Sequence, residues 1–192
     1  MNKHFTTKKI VIAALMAALT VAGSALRIKV PSVVGTSAFH LGNIMCALSG
    51  IFLGPWLGGL AAGLGSAIYD ILLDPAYLSE CWITCLTKGA YGLIAGLVAY
   101  GIRGSWHNKS KKYLRALFAT IAGALTYAFL YLSKTCFYSG MLMKGLTLEG
   151  ALWGTVDKLP ATTFNAVVAI VAAPLLAVAI SSALKSAKIS LE

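Results

Sequence analysis

Residues 30–69 contain no Asp, Glu, Lys or Arg, and His40 is the one side chain among them that could acquire a charge. No water-facing surface can be built from such a run. Soluble domains carry about 25% charged residues, whereas this chain of 192 residues carries 11%, against 58% hydrophobic. Lipid must therefore cover much of it. A crossing takes roughly 20 apolar residues, so the run is long enough for two. Gly54-Pro55, followed by Trp56, is where it breaks, because proline disfavours helix in the residue before it.

The same reasoning along the chain predicts spans near 9–28, 39–53, 56–73, 81–102, 113–134 and 158–184. The expected fold is an all-α membrane protein, a bundle of six transmembrane helices in a single integral membrane domain over 1–192. Residues 103–112 and 139–149 read as loops, the second with room for a short surface helix. The basic start resembles a signal peptide, but no small-residue cleavage site leads into a soluble domain, so it reads as the first span. Pro160 suits the first turn of the last helix, and Pro174 is expected to kink it. Cys46, Cys81, Cys85 and Cys136 sit in apolar surroundings without a CxxC pair, which predicts packing residues rather than disulfides or zinc. No metal or cofactor is expected.

Six spans place both termini on one side. Lys3, Lys8, Lys9, Arg103, Lys109, Lys111, Lys112, Arg115, Lys185 and Lys188 fall on that side, ten of the sixteen basic residues. Lysine and arginine excess marks the cytoplasm, so both termini are predicted inside. The net charge of +10 then reflects orientation, and a nucleic-acid partner is not needed to explain it.

Polar residues concentrate at the other ends of the spans. Tyr69 and Asp70 precede Asp74; Thr84, Lys88 and Tyr91 recur at i, i+4, i+7; so do Tyr127, Tyr131 and Lys134, and Lys158, Thr162 and Asn165. Side chains so spaced share a helix face. His40 and Asn43 add one more pair, and Asp157 precedes Lys158. Lys88 lies about 10 Å along its helix at 1.5 Å per residue, too deep to face lipid without a partner or a wet cavity. It could instead snorkel, or pair with Asp70 or Asp157; the tyrosines could belong to an interfacial belt. Together the stripes place convergent polar groups in an apolar wall, the description of a small-ligand pocket.

Two small-residue patterns concern packing. Gly59-x-x-x-Gly63 is a close-approach motif. In the first span, Ala14-x-x-x-Ala18-x-x-x-Ala22 makes a smooth stripe, with Ala13 and Ala17 in the adjacent register; it either packs inside the bundle or docks another subunit. HExxH, GxSxG and the Walker-type GxxxxGK[ST] are all missing, so catalysis is not expected and ATP would have to be hydrolysed by a partner.

Several segments together resemble a known class: the alanine-rich first helix, His40-Leu41-Gly42-Asn43, Leu53-Gly54-Pro55-Trp56-Leu57-Gly58-Gly59 through Tyr69-Asp70, and Lys158-Leu159-Pro160-Ala161-Thr162-Thr163-Phe164-Asn165-Ala166. The whole chain resembles the S components of energy-coupling-factor (ECF) transporters. The resemblance implies a high-affinity binding subunit for a small water-soluble vitamin, working with a transmembrane coupling (T) subunit and two ATPase subunits in a bacterial plasma membrane. It implies an outward pocket, toppling in the bilayer to deliver the substrate, and Ala14 and Ala18 as contacts to the coupling subunit, or Ala13 and Ala17 in the alternative register. Residues 27–38 and 74–79 are the expected lids. Lys88, Lys134 or Lys158 would meet an anionic or carbonyl group, Tyr91, Tyr127 and Tyr131 a ring, and Asn165, Asn43 and His40 would hydrogen-bond. Pantothenate, riboflavin, pyridoxine and a modified purine all remain open. The competing classes are an autonomous secondary carrier or channel and a membrane-embedded enzyme.

Overall fold

The computed structural model describes residues 7–101 and 112–188. The expected cytoplasmic loop at 103–112 and several of the basic residues that argue for orientation lie, all but Lys112, outside the described residues. Among the described residues seven α-helices and one hairpin follow in order: α1 (Thr7–Ala25), β1 (Arg27–Pro31), β2 (Thr36–His40), α2 (Gly42–Leu53), α3 (Pro55–Leu73), a 3₁₀ turn (Pro75–Glu80), α4 (Cys81–Tyr100), α5 (Lys112–Lys134) with a π-helical extension (Thr135–Met143), α6 (Leu148–Val156) and α7 (Leu159–Ser186). Among the described residues five helical segments are long and apolar enough to cross a membrane; α2 is apolar but shorter. Its 12 residues reach about 18 Å at 1.5 Å each, against about 30 Å of hydrocarbon.

α2 is short for two local reasons. Gly54 ends it with φ +80° and donates its N–H to the Gly50 carbonyl, and Pro55 opens α3. At the other end Phe39 and His40, expected in the helix, are instead paired in β2, with Arg27 opposite His40 and Pro31 opposite Thr36. The alternation Arg-Ile-Lys-Val-Pro and the positive φ of Gly35 in the turn make a hairpin of what reads as a plain lid loop. Another difference follows α5. Residues 135–143, expected to begin a loop at 139, continue the helix in π-helical form over Thr135–Met143.

Small residues build the interior. Ala47, Ala62, Ala95, Ala99, Ala116, Ala119, Ala169, Ala173 and Ala177 are all fully buried in one core with Ile51, Tyr91 and Phe52, while Leu15, Leu60, Leu64, Phe118, Leu125, Phe129, Val171 and Leu175 point outward. In lipid there is no hydrophobic drive between helices, so close backbone approach supplies the packing. It is closest where α2, α3 and α4 meet. A Cβ on Gly58 would lie 2.5 Å from the Gly50 Cα, and one on Gly92 would lie 2.7 Å from the Gly58 carbonyl oxygen. Gly59 and Gly63 both face α4, at Gly89 and Cys85, so that motif packs within the bundle.

Gly58→Val therefore drives a side chain into backbone that cannot give way. Overpacking costs about 1–3 kcal/mol even where side chains can shift, and more is expected here. The variant should lose its monodisperse peak in detergent size exclusion; an unchanged melting temperature would contradict the packing described.

Candidate functional site

At the hairpin end of the bundle a half-open polar cavity lies between β2, α3, α4, α5 and α7. His40, Asp70, Lys88, Tyr127, Tyr131, Lys134, Thr162 and Asn165 all line it. The helical spacings explain why. Lys88 comes from α4, Tyr127, Tyr131 and Lys134 from one face of α5, and Thr162 and Asn165 from one face of α7.

The remaining sequence candidates lie around the cavity. Asn43 stands behind Lys88, whose ammonium donates to its Oδ1. Tyr91 is fully buried, stacked on Tyr127 at 6.1 Å, in a notch that exists because residue 123 is glycine. Tyr69 supports the guanidinium of Arg27, 3.9 Å above its ring. Asp157 and Lys158 do not line the cavity; they hold the hairpin. Asp157 Oδ2 accepts from the Val33 N–H at 3.0 Å, and Lys158 Nζ donates to the Thr36 carbonyl at 2.7 Å.

Asn165 serves the hairpin too. Its Nδ2 donates to the Ala38 carbonyl and its Oδ1 accepts from the His40 N–H, both at 2.8 Å, so its amide imitates a third strand. His40 Nδ1 accepts from the Gly42 N–H at 3.1 Å, leaving the proton on Nε2. Burial, followed by the charges of Lys88 and Arg27, holds this imidazole well below its ordinary pKa. It is a neutral donor at the cavity wall.

Several lining residues were not singled out from sequence as ligand contacts. Arg27, Tyr77, Thr84 and Thr87 belong to the cavity. Thr84 sits on the Lys88 stripe, and Tyr77 falls in the expected lid at 74–79. Arg27 reaches the site through Asp74, which is 1% exposed and accepts from both Arg27 Nη1 and Lys29 Nζ at 2.8 Å. That clasp ties the base of the hairpin to the end of α3. Lys134 is ion-paired with Glu80, which also accepts from Ser139. Tyr127 and Tyr131 form an aromatic wall, their rings 5.6 Å apart and 23° from parallel, with the Lys88 ammonium 4.1 Å from the Tyr127 centroid.

On α1, the two registers of the alanine pattern separate. Ala13 and Ala17 pack against the core, with the Ala17 carbonyl 2.5 Å from where a Cβ on Gly65 would stand. Ala14, Ala18 and Ala22 are exposed.

Residues 4–182 match the family described as ECF-type riboflavin transporter, S component, and the chain belongs to that family. It is accordingly a substrate-binding subunit of an ECF vitamin importer, a multi-pass membrane protein and not an enzyme. An uncharacterized protein in the gap 3′ region of Pyrococcus woesei is 33% identical over 117 residues, 60% of this chain and 70% of that one. The crystal structure of the S component for biotin from an ECF-type ABC transporter shares the fold, with a TM-score of 0.61, 16% identity, and coverage of 92% of this chain and 94% of that chain.

Proposed function

We propose that the cavity binds riboflavin with high affinity at the outer face of a bacterial plasma membrane. The observation that carries this ligand is the stacked Tyr127–Tyr131 pair lining a polar cavity beside the Lys88 ammonium, an aromatic and cationic lining that suits a ring bearing polar edge groups. The family's description points the same way. Lys88 and the neutral His40 donate to the ligand's acceptors, Thr162 meets its polyol, and Lys134 stays engaged with Glu80. Asn43, Asn165, Asp157 and Lys158 act one step back, by positioning Lys88 and the hairpin.

The hairpin at 27–40 and the turn at 74–80 serve as the lid. The single membrane domain crosses six times, with α2 as the short, protein-surrounded crossing and both termini in the cytoplasm. The partners are a transmembrane coupling subunit, which meets Ala14 and Ala18, and two ATPase subunits whose hydrolysis drives toppling and release.

The test is titration of the purified protein with riboflavin, followed by the quenching of flavin fluorescence. Saturable one-to-one binding at submicromolar concentration is expected. Absence of quenching, with tight binding of another vitamin by calorimetry, would replace the ligand.

A further inference from the structure

The charged groups around the cavity are not all directly ion-paired. Arg27 is matched by Asp74, and Lys134 by Glu80. Two lining groups of opposite charge make no direct ion pair among the described residues, with each other or with a third group: Lys88 of α4 and Asp70 of α3. Both are deeply buried, at 4% and 5% exposure, and both face the same cavity. Asp70 Oδ2 has no hydrogen-bond partner. Lys88 gives one N–H to Asn43, and an ammonium has three.

Buried polar atoms are almost always satisfied, and a buried group left without a partner costs about 1–3 kcal/mol, more if charged. An occupant that satisfies this pair must offer an acceptor to one and a donor to the other. An anionic ligand would suit Lys88 and be repelled by Asp70. A cationic ligand would suit Asp70 and meet Lys88 and Arg27. A neutral group with a carbonyl beside an N–H suits both.

Resting on the reading that this cavity holds the vitamin, we propose that Lys88 and Asp70 together read the carbonyl/N–H edge of a neutral cyclic amide, imide or urea. Lys88 donates to the carbonyl oxygen and Asp70 Oδ2 accepts from the adjacent N–H. Asp70 is then the specificity determinant, since a site built around a hydrogen bond rejects analogues that cannot make it far more strongly than an apolar pocket rejects a change of size.

The experiment compares riboflavin with riboflavin methylated at its imide nitrogen, on the parent protein and on Asp70→Leu, a variant of similar bulk without an acceptor. On the parent, methylation is expected to weaken binding by roughly 100-fold, in keeping with one lost hydrogen bond to a charged group. On Asp70→Leu, riboflavin should bind about as weakly as its methylated analogue. A methylation penalty that persists in Asp70→Leu is steric and overturns the pairing, as does equal binding of both ligands by the parent; either leaves the riboflavin reading standing. If the parent ignores riboflavin but binds biotin, through its cyclic urea, with a loss in Asp70→Leu, the ligand changes and the pairing holds. If the parent binds neither, both readings fall. Should Asp70→Leu not fold, Asp70→Asn reads the same coupling, with the methylation penalty expected to shrink at least about threefold.

Discussion

Lys88→Met should weaken riboflavin binding by about 100-fold while leaving the protein able to assemble with its coupling subunit. Methionine keeps the length and apolar stem of the side chain and deletes only the ammonium. What is lost is a buried donor to the ligand, the hydrogen bond to Asn43 and the cation over the Tyr127 ring. Removing one member of a buried, hydrogen-bonded charged contact typically costs 2–5 kcal/mol, and the low end of that range already corresponds to about 30-fold. Because Lys88 is buried at the hairpin end and the exposed α1 stripe lies elsewhere, co-purification with the coupling subunit should be unchanged. A dissociation constant within about threefold of the parent's would remove Lys88 from the binding site.

The opposite split is expected of Ala14→Trp. Ala14 and Ala18 form an exposed strip of methyl groups on α1, while the adjacent register, Ala13 and Ala17, is occupied by the core. A flat strip allows close approach of another helix, as small residues do throughout membrane interfaces. An indole at its centre would hold a docking helix off by several ångströms without touching the pocket. Vitamin uptake in cells carrying the coupling subunit and the ATPases should fall to background, and fluorescence titration of the isolated variant should match the parent. Normal uptake would place the docking surface on another helix. Impaired binding would mean that α1 shapes the pocket itself.

The bundle was legible because lipid imposes strong rules. Uncharged runs marked the long helices, Gly54-Pro55 marked the break between α2 and α3, and of the i, i+4, i+7 stripes the one on α5 faces the cavity throughout, while those on α4 and α7 face it without Tyr91 and Lys158. The chemistry between stripes was less visible. Asp74 meets Arg27 and Lys29 across 47 and 45 residues of chain, and no local pattern announces a partner at that distance. Asn165 was located correctly on its face, but an amide that could serve a ligand or a backbone looks the same in sequence; here the hairpin strand takes both of its ends. The hairpin itself was hidden by its shortness, since five residues of alternation at Arg27–Pro31 compete with the expectation of a loop between two spans. Residues 135–143 misled in the other direction, because Ser139 and Gly140 read as loop formers and yet continue a helix whose π form lets Ser139 reach Glu80.

The crossing of Gly50, Gly58 and Gly92 bears on how force passes through the molecule. With backbone resting on backbone there, no layer of compressible side chains separates α2, α3 and α4. Sliding one helix past another would raise the energy steeply within a fraction of an ångström. Force applied to any of these three helices therefore moves them together rather than deforming the contact between them. What can yield is the hydrogen-bonded hairpin, so release of cargo should be governed by unfastening Asn165, Lys158 and Asp74 from the strands they grip.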